Sequence, residues 1–137
     1  MLVRDLMSEN PVSIASDATL EQAVELMSRH GFRELPVLED GSLAGILTDR
    51  DIKMALGPDA RSMRVEDIDP RQLEGSVDWF MTPNVITVDS AQELSKAARK
   101  LLELRVGALP VVDPDGELVG MLSATDLVRL AVEQLEA

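Results

Sequence analysis

Two short segments carry the side chains best suited to chemistry. Gly45-Ile46-Leu47-Thr48-Asp49-Arg50-Asp51 and Gly120-Met121-Leu122-Ser123-Ala124-Thr125-Asp126 each run from an apolar stretch into a hydroxyl and, three residues on, a carboxylate. Both groups then cluster at a helix start, where free backbone N–H groups and the positive end of the helix dipole favour an anion such as phosphate. An ionised carboxylate accepts from two adjacent hydroxyls such as those of a ribose. A nucleoside phosphate satisfies both features. Thr48-x-x-Asp51 and Ser123-x-x-Asp126 also fit a capping box, which needs no ligand. Spacing alone leaves both readings open, but a cap does not explain why both segments follow a proline-bearing strand and a hairpin in the same frame.

That frame is an internal repeat. Residues 31–51, with Leu35-Pro36-Val37-Leu38 and the turn Glu39-Asp40-Gly41-Ser42, return as residues 105–126, with Leu109-Pro110-Val111-Val112 and the turn Asp113-Pro114-Asp115-Gly116. The offset is 110 − 36 = 74 at the prolines and 120 − 45 = 75 at the glycines, so the second turn carries one extra residue. Two copies are too few for a solenoid, and a chain of two like halves tends to place ligand sites between them.

Each half reads as a short strand, a helix, two strands and a second helix. In the first, Val12-Ser13-Ile14 is β-prone, Thr19-Leu20-Glu21-Gln22 is a capping box, and Leu20, Ala23, Val24 and Met27 share one helical face. Gly31 follows His30 where a helix-closing glycine belongs, and Leu43 to Leu47 is apolar enough for a buried strand. In the second, Val85-Ile86-Thr87-Val88 is the strand and Leu94, Ala97, Ala98 and Leu101 line the helix. The aspartates of 113–116 lack the spacing of a calcium loop and read as an ordinary turn. Residues 57–76 form a polar connector: Gly57-Pro58-Asp59 ends the first half's last helix, and Pro70 and Gly75 are breakers. Within it Val65-Glu66-Asp67-Ile68 echoes Val3-Arg4-Asp5-Leu6 and Val77-Asp78-Trp79-Phe80. The division is 1–56, 57–76 and 77–137, one module in all.

Composition narrows the function classes. With 137 residues the chain suits one domain with a sizeable core. Having no cysteine, it holds neither disulfide nor thiolate metal site, which fits a reducing, cytoplasmic compartment. The N-terminus lacks a signal-peptide profile and no apolar run approaches the roughly 20 residues that span a bilayer, so no membrane partner is expected. Against 13 basic residues stand 25 acidic ones, and the formal charge of −12 disfavours nucleic-acid backbones. A lone His30 at a helix end reads as structural, Trp79 as packing, and Met7, Met27, Met54, Met63, Met81 and Met121 as core or interface filler. No catalytic triad, nucleophile elbow, phosphate-binding Walker loop or cysteine nucleophile is present, and Asp49 and Asp51 point apart on a helix. Binding without turnover is the expectation; no metal and no required cofactor are expected.

Taken together, Met7 and Met81, the two Leu-Pro-Val segments, the hairpin glycines Gly41 and Gly116, and the Gly-x-x-Thr/Ser-x-x-Asp ends make the repeat resemble the cystathionine-β-synthase (CBS) domain, and the chain a tandem CBS pair or Bateman module. The resemblance covers nearly the whole chain. It implies an α/β (α+β) fold of two βαββα units paired through their sheets with pseudo-twofold symmetry, and two clefts between the repeats for adenine nucleotides or other adenosyl compounds. By position, Asp51 and Asp126 match the ribose-binding aspartate, and Thr48 and Ser123 its neighbouring hydroxyl. Ser8 and Val12, or Thr82 and Ile86, match the adenine pocket, helped by Phe32 or Val106, and these walls face the aspartate of the other repeat. Arg33 and Arg50 match phosphate contacts, but Gly107 and Thr125 replace them in the second copy, so the clefts are unequal.

The reading is therefore a regulatory module that senses AMP, ADP or ATP, or a related adenosyl compound. The resemblance and the apolar stripe Leu127, Val128, Leu130, Ala131 and Leu135 imply a homodimer, and an unidentified effector protein would receive the signal. The rivals are a scaffold with vestigial clefts and a cryptic phosphate-transfer or hydrolytic enzyme.

Overall fold

In the computed structural model, which describes residues 1–57 and 68–137, each of the two hairpins builds its own four-stranded sheet. Pro58, Asp59, Met63, Val65, Glu66 and Asp67 lie outside the described residues. In chain order the elements are α1 (Val3–Leu6), β1 (Ser8–Glu9), β2 (Ile14–Ala15), α2 (Leu20–His30), β3 (Glu34–Glu39), β4 (Ser42–Thr48) and α3 (Asp49–Leu56). After them come α4 (Pro70–Leu73), α5 (Val77–Phe80), β5 (Thr82–Pro83), β6 (Val88–Asp89), α6 (Leu94–Leu104), β7 (Ala108–Val112), β8 (Leu118–Ser123) and α7 (Ala124–Glu136). The fold is mixed α+β and divides into two compact units, Val12–Val85 on the one hand and Met1–Pro11 with Ile86–Ala137 on the other.

The unit Val12–Val85 has sheet order β2-β3-β4-β5, with β2 parallel to β3 and the other pairs antiparallel. Thr19 and Gln22 exchange the two hydrogen bonds of the predicted capping box at the start of α2. Gly31 closes the helix at φ 68°, a conformation that suits glycine. At the β3–β4 turn Asp40 and Gly41 both take positive φ, as a tight two-residue hairpin matching strand twist requires. The predicted face Leu20, Ala23, Val24 and Met27 is buried against Leu35, Val37, Leu47 and Ile52. Leu43–Leu47 is a strand, but within it only Gly45 and Leu47 are buried, so it alternates rather than being buried throughout.

The other unit has order β1-β8-β7-β6 and a core of Val3, Val88, Leu94, Ala97, Leu101, Leu109, Val111 and Leu122. Arg105 stands where the first repeat has Gly31 and closes α6 at φ 56°. The lead-in strands are shorter than the sequence suggests: Val12 and Ser13, and Val85 to Thr87, lie outside β2 and β6. Each follows an asparagine with positive φ, Asn10 or Asn84, which bends the chain out of extended pairing.

Repeats and compact units cut the chain differently. α5 and β5 open the second sequence repeat, yet Val77 sits in the first repeat's core and β5 pairs with β4. Reciprocally, Val3 of α1 is buried in the second repeat's core and β1 pairs with β8. Both pairings need a glycine. A Cβ on Gly45 would lie 2.6 Å from the Met81 sulfur and 2.8 Å from the Thr82 carbonyl oxygen; on Gly120 it would meet the Met7 sulfur at 2.6 Å and the Ser8 carbonyl oxygen at 2.8 Å. The methionine can move, but the backbone oxygen cannot. Gly45→Ala should therefore lower stability by about 1–3 kcal/mol, the range for overpacking. Urea denaturation measures it, and an unchanged midpoint would show that β5 shifts without cost.

Candidate functional site

Both strand-to-helix junctions are capping boxes. At the end of β4 the Thr48 N–H and hydroxyl both donate to Asp51 Oδ2, at 2.9 and 3.0 Å, while the Asp51 N–H donates back to Thr48 Oγ1 at 3.1 Å. At the end of β8 the Ser123 N–H donates to Asp126 Oδ2 and the Asp126 N–H to Ser123 Oγ, each at 3.1 Å. The cap loads Oδ2 in each case. A carboxylate offers about four acceptor positions over two oxygens, so Oδ1 keeps capacity for a further donor. Capping therefore leaves each carboxylate able to accept from a further donor.

A second hydroxyl joins the Asp51 carboxylate. Thr82 Oγ1 lies 3.3 Å from both oxygens of Asp51, although the residues are 31 apart and belong to different repeats. Sheet register explains the meeting, because Thr82 sits opposite Ile46, two residues before Thr48 on the same face. In the other sheet Ser8 sits opposite Met121, two residues before Ser123. The second carboxylate differs in its neighbour: Arg129 Nη1 lies 3.5 Å from Asp126 Oδ1, one helical turn on.

Of the residues expected around the first carboxylate, Thr48, Arg33, Arg50 and Thr82 share its unit, whereas Ile86 and Val106, both exposed, belong to the other. Asp126, Ser123 and Ser8 share a unit; Val12 and Phe32 lie in the other. Val12 is half-buried against the core, and Arg33 and Arg50 are exposed. Phe32 stacks on His30 with centroids 5.1 Å apart and planes 10° from parallel. Trp79, read as packing, is 74% exposed, because α5 buries Val77 and turns the indole outward. Met54, read as filler, is exposed as well, whereas Met27 is buried. The carboxylate of Asp113 accepts from the N–H groups of Asp115 and Glu117 within its own turn.

One residue escaped the sequence reading. Glu34 opens β3 directly opposite Thr48, on the sheet face that carries Thr48 and Thr82. It reads as ordinary strand alternation in sequence, and only the antiparallel register puts it beside the hydroxyl. Its carboxyl pKa is raised from 4.5, chiefly because burial penalises the charged form; Arg33 lowers it and Asp49 raises it.

The CBS domain family model matches residues 3–58 and 75–133. The chain belongs to the CBS domain family. A CBS domain-containing protein of Dictyostelium discoideum is 34% identical over 137 residues, covering 99% of this chain and 94% of that protein. A homoserine O-acetyltransferase of Methanocorpusculum labreanum is also 34% identical, over 93% of this chain, but the match spans only 23% of the enzyme's length. Among solved structures, CBSX2 in complex with AMP superposes with a TM-score of 0.81 at 30% identity, covering 99% of this chain and 98% of that one. The CBS domain pair of protein MJ0100, in complex with 5-methylthioadenosine and S-adenosyl-L-methionine, gives 0.78 at 27% identity over 98% of each chain.

The position of Glu34 in this CBS pair has a measurable consequence. An acid with a raised folded pKa takes up its proton on folding, so its penalty at neutral pH is relieved as pH falls through the folded value and is gone below 4.5. Glu34→Gln should accordingly raise the urea midpoint at pH 7, with the gain over the parent shrinking as pH approaches 4.5. An unchanged or lower midpoint at pH 7 contradicts this.

Proposed function

We propose that this CBS pair is a regulatory module that binds an adenine nucleotide, AMP, ADP or ATP, or a related adenosyl compound, and does not turn it over. The observation that carries the reading is the doubled junction: in each unit a capping box holds a carboxylate with one oxygen loaded and the other able to accept. Two adjacent ribose hydroxyls are a matching pair of donors. Similarity to CBS pairs solved with AMP, and with 5-methylthioadenosine and S-adenosyl-L-methionine, supports the adenosyl class. Thr82 joins Asp51 from the second repeat, so ligand contacts there draw on both repeats. A bound ligand regulates by favouring the conformation it binds better, and an effector protein reads the result.

The same proposal includes a homodimer in the cytoplasm. In α7 Leu127 and Leu130 pack partly against the core, whereas Val128, Val132 and Leu135 are exposed, and Val128 lines an apolar cavity with exposed Leu102 of α6. No helix among the described residues is long and apolar enough to cross a membrane.

Calorimetric titration of the parent, Asp51→Ala and Asp126→Ala with AMP, ADP and ATP tests the reading. Charge-assisted hydrogen bonds contribute about 1.5–3 kcal/mol each, so each variant should lose at least about tenfold in affinity at one site and keep the other. Ligand at 100 times its dissociation constant should add about 2.7 kcal/mol of stability per site. Both variants also lose part of a cap, at a cost of about 1 kcal/mol without ligand. Unchanged affinities would reduce the aspartates to caps, no binding would favour a scaffold, and product from labelled ATP an enzyme. Light scattering on the same samples should give twice the chain mass.

A further inference from the structure

The edges that β2 and β6 give their sheets differ: one is guarded and the other is open. Each strand is the outermost of its sheet and runs parallel to its one neighbour. The offset of 74 between the repeats equates Ser13 with Thr87, Ala15 with Asp89 and Leu26 with Lys100. On β6 the Lys100 ammonium donates to the Thr87 carbonyl at 2.8 Å, and the Asp89 carboxylate accepts from the Ala91 N–H at 2.7 Å. Charged side chains placed on an edge discourage another strand from adding there. At β2 the corresponding residues are Ala15 and Leu26, which carry no charge.

Strand alternation leaves hydrogen-bonding capacity on the open edge. The Ser16 N–H donates to the Leu38 carbonyl at 2.8 Å, so Ile14 and Ser16 address β3 while Ser13 and Ala15 address the other side. The Ala15 carbonyl accepts from the Ala18 N–H at 3.1 Å, which leaves the Ala15 N–H as donor and the Ser13 carbonyl as acceptor. Outside them runs a groove of about 360 Å³, lined by Ser13, Ala15, Gln22, Glu25, Leu26 and Arg29. Glu25 and Arg29 are exposed, one turn apart on α2, and form no ion pair with another described residue. Four residues rise about 6 Å along a helix, and side chains two apart on one face of a strand are about 6.6 Å apart. A strand laid on this edge would thus bond to Ser13 and Ala15 through its backbone and set alternate side chains opposite the two charges. We propose that the β2 edge binds an extended segment of a partner protein that carries a basic and an acidic side chain two residues apart, the basic one facing Glu25 and the acidic one Arg29. The segment belongs to the effector of the regulatory reading above, and its biological role rests on that reading.

Short capped peptides centred on Lys-Val-Glu, Glu-Val-Lys and Lys-Val-Lys, labelled for fluorescence polarisation, test this in the absence of nucleotide. The parent should bind one of the two mixed-charge peptides about tenfold more tightly than the other, because reversing the order exchanges two attractive pairs for two repulsive ones. It should also prefer that peptide to Lys-Val-Lys, which the chain's charge of −12 would otherwise favour. Glu25→Arg combined with Arg29→Glu leaves the net charge unchanged and should invert the preference between the two mixed-charge peptides. Leu26→Lys, which copies the guard on β6, should weaken both by at least about tenfold. Leu26 also packs against the core, so the charge swap, confined to exposed positions, decides the matter if that variant unfolds. Equal affinity for the two orders, tightest binding of Lys-Val-Lys, or a preference that the swap does not invert overturns the proposal. The AMP titrations read the nucleotide site independently, so either reading can fail alone.

Discussion

The closest constraint in this fold is the approach of one backbone to another at Gly45 and Gly120. The lead-in of each sequence repeat lies so near the last strand of the other that a single Cβ would collide with a carbonyl oxygen. Because that contact is permitted, β5 adds to β4 and β1 to β8, completing both sheets. Without it, β4 and β8 would present open edges, a state proteins avoid. It also decides which residues meet. Thr82 reaches Asp51 only because the chain crosses Gly45 at this distance.

The exchange makes the two repeats depend on each other through named side chains. Val77 fills the core built by the first repeat and Val3 the core built by the second, both fully buried. A single repeat would lose a core residue and an edge strand together. The capping boxes then work on this completed frame. Thr48 and Ser123 satisfy helix N–H groups that would otherwise lack partners and, in doing so, immobilise the carboxylates. A ligand meeting a group already fixed in place has less side-chain entropy to overcome.

Much of this was legible because it rests on local rules. The capping boxes at Thr19, Thr48 and Ser123, the Asp40-Gly41 turn and the buried face of α2 follow from spacing, and the structure holds each of them. What could not be read depends on distant pairing. Two-residue strands such as Thr82–Pro83 have no periodicity, so nothing in the sequence says that they leave their own repeat. Glu34 was missed for the same reason, its neighbour Thr48 being supplied by register. The outward turn of Trp79 follows from which side of a four-residue helix carries Val77, too short a segment for a moment to emerge.

A crystal structure of the protein grown with AMP would show whether Asp51 grips the ribose. Ribose hydroxyl oxygens should lie within about 3 Å of the Asp51 carboxylate, with the Thr48 cap still closed. AMP bound elsewhere, or bound with Asp51 untouched and engaged only in its cap, would contradict that role for Asp51.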